Sequence, residues 1–233
     1  MLAAHRSTSL GIRTALAMLL TAAAVAAAVV AQGAPSAWYA ERITSGDIPV
    51  HVEHLWSKGS KFRAEMVLGG HPIVTLVSGE RYITVDRLSN TGVSIQRGPK
   101  TIREDATRGR PFGNEWIALD ADGGEKVTTQ TISGRECDLY RLTDKGGRRE
   151  VCVSQDERRL PLLYTVWQRG SGREARTHYL DWTSGLTLLD DFFEPDPAVA
   201  LEHLTYDDYV RRAAKEQIGP APPFFRELLH GTK

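Results

Sequence analysis

Cysteine is nearly absent from this chain, and no sign of charge dominates it. Two cysteines stand in 233 residues, and 29 lysines and arginines balance 29 aspartates and glutamates. That balance excludes the basic surplus expected of a nucleic-acid binder. It also gives no strong attraction to an anionic membrane surface. Catalytic signatures are missing as well: there is no Gly-x-Ser-x-Gly, no phosphate-cradling glycine loop and no His-Glu-x-x-His. The chain therefore reads as non-enzymatic, with no cofactor. His51 and His54 flank Glu53, but strand positions three apart face opposite sides, so they make no metal pair. Asp190, Asp191, Glu194 and Asp196 lack the spacing of a calcium loop and are interrupted by Phe192 and Phe193; they read as a solvated acidic loop. Internal repeats are absent.

The one long apolar run lies at the start. Met1 to Thr14 carry Arg6 and Arg13 and no acid, Ala15 to Ala31 carry no charge, and Ala31-Gln32-Gly33 puts small residues where a signal peptidase reads. Residues 1–33 are expected to be a cleaved signal peptide, with an uncleaved N-terminal anchor as the alternative. No cysteine follows the apolar run closely, so no lipid attachment is expected there. Loss of Arg6 and Arg13 would leave the exported chain, periplasmic or secreted, with a small acidic excess. About 200 residues suffice for one domain with a sizeable core.

The two cysteines fit that compartment. Glu136 to Leu142 and Arg149 to Val153 read as strands around the turn signal Asp144-Lys145-Gly146-Gly147. With the turn centred on Asp144 and Lys145, Cys137 lies directly across from Cys152, at a separation that suits a disulfide. Such a bond belongs to an oxidising compartment.

Elsewhere the chain alternates. Strands are expected over Trp38–Thr44, Val50–Ser57, Lys61–Leu68, Ile73–Ser78, Arg81–Asp86 and Gly92–Arg97, then over Lys126–Ile132, Leu162–Gln168 and Arg173–Trp182, with short polar turns between them. In Lys61–Met66, Phe62, Ala64 and Met66 face one way and the charged residues the other. Gly98 to Gly124 is charged and holds one helix candidate, Asn114–Ala121. Tyr206–Glu216 reads as a short helix, and Phe224–His230 as a terminal helix or a loose tail. The fold class is mainly β, an antiparallel sheet with few helices to cover its apolar face. The domain is expected over 34–217, followed by a Pro-rich C-terminal tail over 218–233.

Large side chains gather on the strands. If the scant helical cover leaves part of the sheet free, a cavity for an apolar ligand results. Trp56, Phe62, Met66, Tyr82 and Trp167 are its expected lining.

The stretches Lys58–Met66, Val77–Tyr82, Ile132–Tyr140, Val151–Asp156, Leu160-Pro161-Leu162, Tyr179–Trp182, Phe192–Pro197 and Tyr206–Tyr209 resemble the LolA/LolB-like outer-membrane lipoprotein-carrier superfamily. The resemblance covers most of residues 37–210. It implies an unclosed β-barrel, a strongly curved antiparallel sheet with helices over its mouth. It also implies a monomeric envelope protein that carries a lipid, acyl chain or lipoprotein in a hydrophobic cavity. The alternative it leaves is an envelope protein-interaction or stress-sensing domain that uses the same sheet.

Overall fold

Two-residue turns set most of the strand boundaries. Gly69 and Gly70 both take positive φ, +57° and +86°, and Leu68 pairs with His71. This is the turn whose twist matches that of the flanking strands. The computed structural model describes residues 36–47 and 49–232; the expected signal peptide lies outside them. The first meander runs β1 (Ala37–Gly46), β2 (His51–Lys58), β3 (Lys61–Leu68), β4 (His71–Ser78), β5 (Arg81–Asp86) and β6 (Thr91–Gln96). Two helices follow, α1 (Pro99–Arg108) and α2 (Glu115–Ala121). The second meander is β7 (Glu125–Ile132), β8 (Arg135–Thr143), β9 (Gly147–Ser154), β10 (Pro161–Gln168) and β11 (Glu174–Ser184). A 3-10 turn (Asp190–Phe193), β12 (Ala200–Leu204), α3 (Tyr206–Ala213) and α4 (Arg226–His230) complete the chain.

The twelve strands of the described residues form one sheet in the order β12-β6-β5-β4-β3-β2-β1-β11-β10-β9-β8-β7. Pairing is antiparallel except for β12, which lies parallel to β6. The terminal strands β12 and β7 do not pair, so the curved sheet stays an unclosed barrel, as expected for the mainly β class. β1 joins the two meanders, pairing with β2 on one side and β11 on the other.

The helix α1 is absent from the sequence expectations. Proline at its first turn suits a helix start, but only Thr101 of the helix is buried, so it carries no apolar stripe to read. Its anchor is Arg97, just after β6, which is 1% exposed. Arg97 donates to the Gly79 carbonyl (2.6 Å), to both carboxylate oxygens of Asp105 (2.7 and 2.8 Å) and to the Leu228 carbonyl (2.7 Å). Thr101 donates to the Glu227 carbonyl at 2.8 Å, and the Gly98 N–H to the Leu229 carbonyl at 2.8 Å. One buried guanidinium thus ties the end of the first meander, α1 and α4 together.

The C-terminal segment is not loose. Ile218, Ala221, Phe225, Leu228 and Leu229 are all buried, within the same apolar cluster as the strands of the first meander.

The cysteines are bonded, with 5.4 Å between their Cα atoms. Their register differs from the expected one: Cys137 pairs with Ser154, and Cys152 with Leu139. Asp144 Oδ1 accepts from the Gly146 and Gly147 N–H groups at 2.7 and 3.1 Å. This Asx-type turn moves the hairpin centre toward Gly146. The two cysteines are therefore diagonal neighbours on one face.

Candidate binding surfaces of the sheet

The inner face of the sheet, beneath the helices, is set by strand alternation. Leu55, Phe62, Ala64, Met66, Ile73, Val77, Tyr82, Val93, Ile95 and Tyr179 all point there and are buried. Phe62, Met66 and Tyr82 lie together in this buried cluster. Trp56 is not among them. Leu55 is the inward residue of that pair, so Trp56 faces out, between Tyr39 (5.3 Å) and Phe192 (5.5 Å). Trp167 is likewise turned away. Tyr164, three residues earlier and so of opposite phase, packs inward with Leu119 of α2, and Trp167 pairs with Arg148 and Glu174 on the opposite side. His51 and His54 fall on opposite faces, as their spacing requires.

The inner surface is filled. Phe225 stands edge-on to Phe62 at 4.6 Å, and Phe112, from the α1–α2 connection, lies 6.0 Å from the same ring. Tyr209 of α3 joins them. The Tyr82 hydroxyl is buried, and burial pushes its pKa up.

A polar network lies beside this apolar floor. Arg42 on β1 grips Glu53 on β2 with two bonds, 2.5 and 3.1 Å, and donates to the Tyr179 hydroxyl at 3.3 Å. Tyr179 in turn donates to Glu115, the first residue of α2, at 2.6 Å. Burial works against the charge of Arg42, but Tyr179, Glu53 and Glu115 outweigh it and raise its pKa. Burial, and then Glu115, push the Tyr179 phenol well up. Arg110 lies between the rings of Trp38 (4.8 Å) and Trp182 (4.7 Å) and donates to the Phe112 and Gly113 carbonyls. The network pairs cations with carboxylates and aromatic faces and sets no nucleophile beside a base. It can fasten α2 and its preceding loop to the sheet. Sequence reasoning passed over Arg42 and Glu53, although Glu53 is in phase with the inward Leu55 and Ser57.

The outer face carries a second feature. Residues 185–199 leave β11 and cross the outer side of β3–β5 to reach β12. Lys58 holds this strap at the Leu188 carbonyl and at Asp190, both 2.8 Å. Arg63 donates to the Phe192 carbonyl at 2.9 Å and lies 4.6 Å over its ring. Ser78 donates to Glu194 at 2.6 Å, and Asn90 to the Ala198 carbonyl at 2.9 Å. Lys58 and Lys61 hold the Asp190 carboxyl below its usual range. Between strap and sheet lies a cavity of about 920 Å3 with Val74, Leu76 and Val85 as its floor. A smaller one of about 390 Å3 sits at the strand ends by His51, Met66 and Arg87. Among the described residues no cluster of three or more His, Cys, Asp or Glu is placed to hold a metal ion.

No family model and no curated protein matches the chain. Solved structures do. An uncharacterized conserved protein from Thermus thermophilus aligns with a TM-score of 0.52 at 10% identity, over 78% of this chain and 99% of its own. The chain shares the fold of that protein. The Pseudomonas aeruginosa MucA/MucB complex structure aligns at 13% identity and a TM-score of 0.43, over 70% of this chain and 56% of the matched one. A putative outer membrane lipoprotein-sorting protein domain from Vibrio parahaemolyticus aligns at 10% identity and a TM-score of 0.31, over 70% and 91% of the two chains. At these identities the likeness is one of fold.

Proposed function

We propose that this protein is a non-enzymatic binding domain of the cell envelope that engages a protein partner, with the inner sheet face serving as its core. The observation that carries this reading is the occupation of that face. Phe225, Leu228, Leu229, Ile218 and Ala221 of the chain itself cover the surface that an acyl chain would need. The buried disulfide and the basic-then-apolar start of the sequence support export, with cleavage near Gly33. N-terminal sequencing of envelope material tests that placement, and an intact Met1 would reverse it.

A second reading keeps the inner face as the site. The cover is apolar, and it is reached through Gly219-Pro220-Ala221-Pro222-Pro223 rather than through a strand. If it lifted, a lipid, acyl chain or lipoprotein acyl group would meet Phe62, Met66 and Tyr82, and the protein would act as a carrier. Titration with dansylated undecanoic acid separates the two readings. The interaction reading expects no saturable fluorescence rise with the wild type; a saturable rise that palmitate competes away establishes the carrier instead.

A further inference from the structure

We propose that the crevice under the 185–199 strap is a docking groove for an extended peptide with alternating apolar and basic side chains. The proposal rests on the protein-interaction reading and places the partner on the outer face. The crevice, about 920 Å3, is within the range of sites that take drug-sized or short peptide ligands. Its floor is apolar, Val74, Leu76 and Val85, and Val199 closes one side. A peptide in extended form points every second side chain to one face, so an apolar set can sit on that floor while the other set faces the strap.

Charge selects the sign of that second set. Asp191, Glu194 and Asp196 line the groove from the strap. The Asp191 carboxylate makes no side-chain hydrogen bond or ion pair among the described residues, Glu194 accepts only from the Ser78 hydroxyl, and Asp196 accepts from the Ala198 N–H. Among the described residues none of the three is neutralised by a cation. On the other wall the charge of Arg63 is met by Glu65, which leaves Arg87 as the cation of the lining without an ion pair among the described residues. The groove therefore carries a surplus of negative charge, complementary to lysine or arginine. Its frame is already fixed: Lys58, Arg63, Ser78 and Asn90 hold the strap at four points along its length. A prebuilt groove spares the partner the cost of ordering its walls.

The test is fluorescence anisotropy with a fluorescein-labelled octapeptide of alternating valine and lysine. The wild type is expected to bind it saturably, at least tenfold more tightly than the matching valine–glutamate peptide, and more weakly as salt rises. The variant Asp191→Asn/Glu194→Gln keeps the acceptor oxygen that Ser78 uses and changes only exposed side chains, so it should fold as the wild type does. It is expected to lose at least tenfold in affinity. Hydrogen exchange should slow over residues 185–199 when peptide is added. Equal binding by the variant, or no change in exchange on the strap, would mean that the peptide sits elsewhere; the groove is then wrong while the interaction reading stands. Displacement of the peptide by palmitate would overturn the peptide in favour of a lipid occupant. Absence of saturable binding by the lysine peptide overturns the proposal outright.

Discussion

Replacing Phe225 by alanine asks whether the inner face is core or cavity. The ring is 3% exposed, stands 4.6 Å from Phe62 and lies 5.5 Å beneath the Arg42 guanidinium. Truncating a buried phenylalanine costs about 3–5 kcal/mol, of which the edge-on ring pair accounts for about 0.5–1.5 kcal/mol. A domain of this size has about 5–15 kcal/mol in hand, so the variant should still fold. With a urea slope of about 2 kcal/mol/M, a loss of about 4 kcal/mol lowers the unfolding midpoint by about 2 M. Phe224→Ala is the internal control. That neighbour is 36% exposed and stands 6.1 Å from the His51 ring, so its loss should cost under about 1 kcal/mol. Tryptophan fluorescence against urea measures both. A midpoint shift under about 0.5 M for Phe225→Ala would mean that the C-terminal segment does not hold the inner face in solution, and the core argument would fall.

Three other expectations follow from side-chain chemistry. Free-thiol labelling of unfolded, unreduced protein should find no thiol, and reduction should cost about 3 kcal/mol for a loop of this length, the two cysteines being 15 residues apart; two reactive thiols in exported protein would contradict the bond. Glu53→Gln should destabilise by about 3 kcal/mol, the low end for a broken buried ion pair, because Arg42 then keeps only the Glu115 carboxylate, 3.8 Å away, whereas an Arg42→Met/Glu53→Met double variant should recover part of that loss in the same urea assay. Hydrogen bonds from Lys126, then Gln155, hold the Asp138 carboxyl down at about 2. Because its folded pKa is depressed, its contribution to stability is complete above the ordinary aspartate range and is lost as pH falls through about 2. NMR titration of the carboxyl should find that midpoint, and Lys126→Ala should raise it.

Strands with a one-sided apolar pattern and two-residue turns were readable almost to their ends. The expected Lys61–Leu68 and Arg81–Asp86 strands coincide with β3 and β5. Local alternation and turn glycines decide such elements without reference to the rest of the chain. The elements that were missed depend on distant partners. β12 is a five-residue strand that pairs with β6, about a hundred residues earlier and parallel to it. The helix α1 owes its place to Arg97 and to the carbonyls of the C-terminal segment. Ile117 of α2 is 61% exposed despite its apolar side chain, because that helix faces the sheet through Leu119 and Trp116.

The site divided along the same line. Phe62 was legible because it alternates cleanly with Lys61 and Arg63, and Met66 follows it in phase on the same strand; Tyr82 lies on a strand buried on both faces, where alternation gives no such signal. Trp56 and Trp167 were chosen for bulk, and bulk carries no phase. A tryptophan on the outer face finds cover of its own: Trp56 lies against Phe192 of the strap and Tyr39 of β1. Glu53 is the converse case. Its charge argued for solvent, yet it is in register with Leu55 and is 1% exposed. A carboxylate is tolerable there only because Arg42 comes inward on the neighbouring strand. A register shift between Glu41 and Arg42 in the β1–β11 pairing then sets Arg42 opposite Tyr179. Period-two phase is therefore the stronger guide to which face a residue takes, and side-chain chemistry tells what partner must be found once it is there. The acidic strap obeys the same logic. Phe192 and Phe193 anchor it, Asp190 is paired with Lys58 and Lys61, and Asp191, Glu194 and Asp196 line the groove without a cation partner among the described residues.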